Sequence, residues 1–316
     1  MNPSVSMSLN AAHTETYLTA FPLVTGESHK LDFLFEGIPN PAFGERISIF
    51  LASINDIFPF LSQVRLKIDT KNTFPHSAGI ASSASAFSAL GLCLCTLEEK
   101  LTGQKLPDFF QKASNIARLG SGSACRSIYG GITLWGETLS YNGSSNMYAV
   151  PVTPIHSSFS GLRDAIILVS KEEKKVSSSK GHGRMKNHPF VSARAKQALR
   201  NTSDLLQAFK DGDREAFMRI TENEAMTLHA LMMTSEPGFI LMEPETVGII
   251  NRIKQIREEE GLRICFTLDA GPNIHLLYFQ EDIEQVRKLI VEDLLIKGKQ
   301  KIWIDDTIGN GPEEIG

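Results

Sequence analysis

Gly120-Ser121-Gly122-Ser123-Ala124-Cys125-Arg126-Ser127 is the stretch from which the rest of the chain can be read. Its small residues expose backbone amides, and a guanidinium follows three residues after Ser123. Arginine presents a planar fork that meets carboxylate or phosphate oxygens in pairs. A surface arginine on an ordinary loop between helices fits the same letters. The setting of Arg126, between Cys125 and the apolar pair Ile128–Tyr129, favours an anion ligand.

Toward the N-terminus lies Pro75-His76-Ser77-Ala78-Gly79-Ile80-Ala81-Ser82-Ser83-Ala84, a small-residue loop running into a helix expected over 82–99. Gly79 permits a tight turn, and Ala81, Ser82 and Ser83 let a ligand approach the backbone. Free amides at a helix start, with the positive end of the dipole, suit phosphate. Neither the Walker pattern nor G-x-G-x-x-G is present in it. A serine-capped helix packed through small residues explains the string equally well.

Toward the C-terminus, Thr267-Leu268-Asp269-Ala270-Gly271-Pro272-Asn273 reads as a strand that delivers Asp269 to a Gly-Pro turn. A carboxylate there can serve as a general base or orient a hydroxyl. Taken alone, a turn-capping aspartate is the simpler reading.

Around these motifs, period-two alternation predicts strands at 4–9, 30–36 and 64–69, and apolar residues at helical spacing predict a helix from Phe43 to Phe58. A second helix is expected over 107–118, and strands over 133–135 and 148–152. The second half opens with a buried strand at 164–169. Helices follow at 189–210, 214–233 and 244–259, with Pro189 and Pro244 in first-turn positions. Strands at 263–268 and 274–279, a helix at 281–295 and a strand at 301–304 complete it. Mixed elements in both halves indicate an α+β fold of two units, 1–158 and 159–316, with a cleft between them. The segment 171–188, rich in Ser, Gly, Lys and His, reads as a mobile loop.

With 316 residues, 42% of them hydrophobic, the chain can bury one large core or two ordinary ones. Lys+Arg 32 against Asp+Glu 36 argues against a general nucleic-acid surface, though a local basic cluster can still hold a polyanionic small molecule. No apolar run reaches the roughly 20 residues that span a bilayer, and no secretory signal is visible. Cys93, Cys95, Cys125 and Cys265 are too scattered for a disulfide framework and read as reduced core residues. These features place the chain in the cytoplasm.

Together the three motifs resemble diphosphomevalonate decarboxylases of the GHMP kinase superfamily. The strings that carry the likeness are 78–84, 120–127 and 269–273, with Asn2-Pro3-Ser4-Val5-Ser6 and Gly309-Asn310-Gly311-Pro312 at the two ends. The resemblance implies a GHMP kinase fold, with an S5 domain 2-like N-terminal half, a ferredoxin-like C-terminal half and the active site between them. It implies ATP, Mg2+, a homodimer, and conversion of 5-diphosphomevalonate to isopentenyl diphosphate with release of ADP, phosphate and carbon dioxide. Carried over by position, Asp269, Arg126 and Ser83 are the catalytic set. Gly79, Ala81, Ser82 and Ser83 then bind ATP, and Ser121, Gly122, Ser123, Arg126 and Ser178 bind substrate. His182 and His188 lack a third ligand, so no protein metal site is assigned. The family also has an early strand with Lys-Tyr-Trp-Gly-Lys, for which this chain has no counterpart before Asn2. An exposed sheet edge and a gap in the core are expected from that, in a shortened form of an active enzyme. The alternatives are a phosphomevalonate decarboxylase, a mevalonate-type kinase that stops at phosphorylation, and an inactive binding relative.

Overall fold

The computed structural model describes residues 2–24, 30–75, 82–170, 188–295 and 302–315. The first alternating residues form β1 (Ser4–Met7), which pairs antiparallel with β6 (Ile132–Trp135), itself paired with β7 (Ala149–Pro151). Among the described residues β1 is an edge strand, and its four residues are half-buried.

A second sheet has the order β2 (Thr14–Pro22), β5 (Val64–Asn72), β3 (Leu31–Phe35) and β4 (Ile38–Pro39), with β3 and β5 parallel. One of its faces packs on α1 (Pro41–Ser53), α2 (Ser82–Thr102) and α3 (Phe109–Gly120), through Phe50, Leu66, Ile68, Phe87 and Ile116. Asn40 starts α1 by accepting the amide of Phe43 at 3.2 Å, and Pro41 occupies the first turn.

The third sheet is antiparallel, in the order β11 (Trp303–Thr307), β8 (Leu162–Ile167), β10 (Ile274–Phe279) and β9 (Cys265–Leu268). Alternation gives it two buried faces. Ala165, Ile167, Leu276 and Tyr278 pack on α5 (Arg214–Met233), α6 (Pro244–Glu260) and α7 (Ile283–Leu289). Leu162, Leu277 and Phe279 point the other way, toward Ile132 and Leu134 of β6 and Phe209 of α4 (Val191–Asp211). The two halves therefore meet on this second face.

Two polar devices lock that meeting. Asp306, buried in β11, accepts the amides of Asn10, Ala11 and Ala12 at 2.8, 2.8 and 2.7 Å, which fixes the connection between β1 and β2. Ser8 donates from its amide to Gly131 at 2.9 Å, and its hydroxyl lies 3.0 Å from the carbonyl of Gly309. A Cβ on Gly130 would come 2.3 Å from the carbonyl oxygen of Asn310, so only glycine lets segment 309–311 pass so close.

The structure corrects the sequence reading in several places, among them the helix expected from Phe43 to Phe58, which ends at Ser53 and is followed by a separate 3-10 turn at Pro59–Ser62. β2 had not been expected: its outward residues include Tyr17 and Phe21 while its inward ones include Thr14, Thr16 and Ala20, so the hydrophobic alternation is blurred. Pro189 precedes α4 by two residues rather than occupying its first turn. The expected helix over 281–295 is instead a short 3-10 turn, α7 and a π turn (Ile290–Leu294). The reading of 171–188 as a loop falls almost wholly outside the described residues. The four cysteines are free thiols; three are buried and Cys93 is half-buried. Burial pushes Cys95 and Cys125 up to about 12, so neither offers a thiolate near neutral pH.

Candidate active site

Residues Gly122–Ile128 form a 3-10 helix directly after α3, and buried serines fix its backbone from two sides. Ser88 of α2 lies 2.6 Å from the carbonyl oxygen of Ala124. Ser114 of α3 donates to the carbonyl of Cys125 at 2.9 Å and accepts the amide of Ala149 at 2.9 Å. Thr133 of β6 donates to the carbonyl of Arg126 at 3.2 Å. Three successive carbonyls are thus satisfied by side chains, which turns a small-residue loop into a rigid platform.

Arg126 stands on that platform, half-buried. Its Nε donates to Ser123 O at 3.4 Å, and it has no ion pair among the described residues. Burial pulls its pKa below the ordinary arginine value, and the Cys125 thiol acts in the opposite direction. A guanidinium taken partly out of water without a carboxylate is a receptor for an anion. The hydroxyls of Ser121 and Ser123 likewise take no partner among the described residues. Gly122 is exposed beside them, and a Cβ there would lie 3.3 Å from the Trp135 ring.

Ser82 and Ser83 open α2. Ser83 accepts from Arg46 Nη2 at 3.1 Å, and Arg46 lies 5.2 Å from the ring centre of Phe87. A cation from α1 therefore reaches the start of the helix that also carries Ser88, so this start and the Arg126 platform share one support. Sequence reasoning missed Arg46, which looks like any polar residue on the outer face of an amphipathic helix. Gly79, Ala81 and Ser178 lie outside the described residues.

Asp269 follows β9, and its turn is held by three buried side chains. His229 of α5 stands 3.0 Å from the carbonyl of Asp269, and burial lowers its pKa, so the neutral ring donates through Nε2. Thr246 donates to Pro272 O at 2.7 Å while accepting the amide of Glu243 at 3.2 Å, which ties the turn to the first turn of α6. Asn273 accepts the amides of Val169 and Ser170 at 2.8 and 3.1 Å, joining the turn to the chain leaving β8. The Asp269 turn and the Arg126 platform are thus built on opposite halves of the molecule. Both ring nitrogens of His188 have partners: Nδ1 accepts the amide of Phe190 at 3.1 Å, and Nε2 faces Thr234 Oγ1 at 3.1 Å.

Comparison with known proteins adds to this geometry. A family model described as the diphosphomevalonate decarboxylase-like N-terminal domain matches residues 1–149. Another, the mevalonate 5-diphosphate decarboxylase C-terminal domain, matches residues 165–310. The chain is 32% identical over 243 residues to the diphosphomevalonate decarboxylase of Debaryomyces hansenii; the match covers 76% of this chain and 61% of that protein. It is 30% identical over 298 residues to the diphosphomevalonate decarboxylase of Eremothecium gossypii, covering 89% of this chain and 72% of the relative. A solved structure of MDDEF in complex with MVAPP, AMPPCP and magnesium superposes with a TM-score of 0.82 at 27% identity, covering 98% of this chain and 89% of that one. The α+β architecture of these relatives is the fold described above.

Proposed function

The chain belongs to the diphosphomevalonate decarboxylase family, and from that premise we propose that it converts 5-diphosphomevalonate and ATP to isopentenyl diphosphate, ADP, phosphate and carbon dioxide. The observation that carries this reading is Arg126, a half-buried guanidinium without an ion pair among the described residues, held on a platform in which the carbonyls of residues 124–126 are engaged by side chains. Such a group fits a carboxylate that must be gripped and then released as carbon dioxide.

Asp269 orients the substrate's 3-hydroxyl and takes its proton. Arg126 pairs with the substrate carboxylate in two parallel hydrogen bonds, and Ser121 and Ser123 donate to the diphosphate. Ser82 and Ser83, at the start of α2, donate to the nucleotide's phosphates, with Arg46 adding positive charge. ATP would supply the phosphoryl group that makes the tertiary oxygen a leaving group, with Mg2+, when bound, screening the charge of its phosphates. The hydroxyls of Ser82 and Ser83 are hard oxygen donors of the kind that would help to hold Mg2+. The MDDEF structure, which holds AMPPCP and magnesium, supports both cofactors for the family.

The reading extends to two units, 1–158 and 159–316, to a homodimer, and to a cytoplasmic setting in which the four thiols stay free. Among the described residues no helix is long and apolar enough to cross a membrane.

The test mixes the purified chain with ATP, Mg2+ and 5-diphosphomevalonate, and follows ADP and carbon dioxide together. Equal release supports the proposal. ADP without carbon dioxide replaces it with a kinase, and neither product leaves a binding relative.

A further inference from the structure

α5 and α6 enclose a groove of about 460 Å3 that none of the residues assigned above lines. That volume suits a small molecule. The buried Met218 and the half-buried Met226 make part of its lining apolar, and their flexible thioethers can adapt to a ligand. Glu222 of α5 and Arg257 of α6 form a two-pronged ion pair across it, at 2.7 and 3.1 Å. Hydrogen bonding to Glu222 raises the pKa of Arg257, burial opposes the rise, and the charge of Glu215 adds to it. Both carboxylates of the groove thus act on one guanidinium. Arg219 and Lys254, its other two cations, have no hydrogen bond or ion pair among the described residues. Lys254 is half-buried, with Nζ 5.9 Å from the ring centre of Phe266 in β9.

The groove is one end of a seam whose other end is the Asp269 turn. On α5, Met218, Glu222 and His229 follow at intervals of four and seven residues, so they share one stripe of the helix. On α6, Thr246 and Arg257 are eleven residues apart, three full turns to within about 20°. The Glu222–Arg257 pair joins the two stripes. His229 lies about 10 Å further along α5 and donates to the Asp269 carbonyl. Thr246 lies about 16 Å back along α6 and donates to the Pro272 carbonyl. A molecule that draws α5 and α6 together at the groove therefore acts on the two side chains that hold the turn.

The lining also selects the ligand. Three cations against two carboxylates leave it with one positive charge, which favours an anion. An uncharged apolar molecule would cover Arg219 and Lys254 without pairing them. A bare anion would leave the two methionines in water.

We propose that this groove is a second binding site, for an anion that carries a short apolar chain, and that its occupancy is felt at the Asp269 turn. The choice of isopentenyl diphosphate to represent that chemistry rests on the function proposed above. The diphosphate lies between Arg219 and Lys254, and the five-carbon chain lies against Met218 and Met226. Binding ties α5 to α6 beside the Glu222–Arg257 pair, and the seam carries the restraint to His229 and Thr246.

Methyl NMR on the full chain with labelled methionines tests the site, with signals assigned from Met218→Leu and Met226→Leu. Isopentenyl diphosphate should move the Met226 signal saturably. In the double variant Arg219→Gln with Lys254→Gln the midpoint should weaken about 10-fold or more, because two charge-assisted contacts are lost and one of them is exposed. Neither side chain has a partner to lose, so the variant keeps the wild-type fold. A Met226 signal that stays put, or an unchanged midpoint in the double variant, overturns the site. Inorganic diphosphate is the control for the chain, and binding as tight as that of isopentenyl diphosphate overturns the assignment of an apolar chain to the methionines. Coupling is read from kcat at saturating ATP and 5-diphosphomevalonate, where competition for the active site is suppressed. Added isopentenyl diphosphate should lower the wild-type kcat about two-fold or more. It should leave the double variant, whose kcat without it equals that of the wild type, unaffected. A wild-type kcat that holds or rises overturns the coupling. Failure of the wild-type chain to release ADP or carbon dioxide sinks the proposed function instead, and the methyl titration still decides the groove.

Discussion

Ser88 Oγ lies 2.6 Å from the carbonyl oxygen of Ala124 and 2.8 Å from that of Ala84, four residues back in its own helix. One hydroxyl proton is shared between two buried acceptors, so the helix that begins at Ser82 and the segment that carries Arg126 cannot move independently. Replacing Ser88 by Ala strips the Ala124 carbonyl of its donor, at a cost of about 1–3 kcal/mol. The urea midpoint should fall, and substrate affinity should fall with it because Arg126 loses its fixed base. A variant with unchanged midpoint and unchanged KM would show that the serine is not an anchor.

Arg126→Lys keeps a positive charge but loses the fork. Each charge-assisted hydrogen bond contributes roughly 1.5–3 kcal/mol, so kcat/KM should drop about 10- to 100-fold. Steady-state kinetics with carbon dioxide as readout checks it, and a near-normal lysine enzyme would mean that charge alone suffices.

Asp269→Asn preserves size and removes the base. Turnover should fall by about 100- to 10,000-fold, the usual worth of a positioned proton acceptor. Nucleotide affinity, measured by calorimetry, should hold, because Ser82 and Ser83 stand on the other half of the molecule. Weakened ATP binding would place the aspartate among the nucleotide ligands instead.

His229 predicts a pH effect on stability. Its folded pKa lies below the ordinary histidine value because burial disfavours the charged ring. Between those two values the unfolded chain binds more protons, so stability rises with pH across the window. The contribution is complete above about pH 6.5 and is lost as pH falls from there toward the folded value. His229→Gln retains a donor for the Asp269 carbonyl without titrating. The difference in urea midpoint between wild type and variant should therefore shrink in this pH range; a constant difference would contradict a buried neutral ring.

Much of the scaffold was legible because periodicity and burial coincide. The helix over 214–233 and the strand over 274–279 were read with the limits the structure shows, since one alternates with the helical period and the other is an apolar run broken only by His275. β2 escaped for the opposite reason, with aromatic residues on its solvent side. The residues that hold the site were harder still. Ser88, Ser114, His229 and Asp306 reach backbone groups 11 to 296 residues away in sequence, and no local pattern marks a side chain whose partner is a distant carbonyl or amide. What the letters did single out as candidates were Arg126 and Asp269, because glycine and serine beside a charge mark backbone geometry that ligands need.

The contact between Ser8 and Gly309 spans 301 residues. At a synthesis rate of about 5–20 residues per second, the first strand would wait roughly 15–60 s for the segment that closes over it. Until then the Ser8 carbonyl and the Gly131 amide lack the partners that Gly309 supplies, and β11 has not completed the third sheet. Birth of this protein on the ribosome is therefore a period of exposure for β1, whose contacts with Gly309 form only after nearly the whole sequence has emerged.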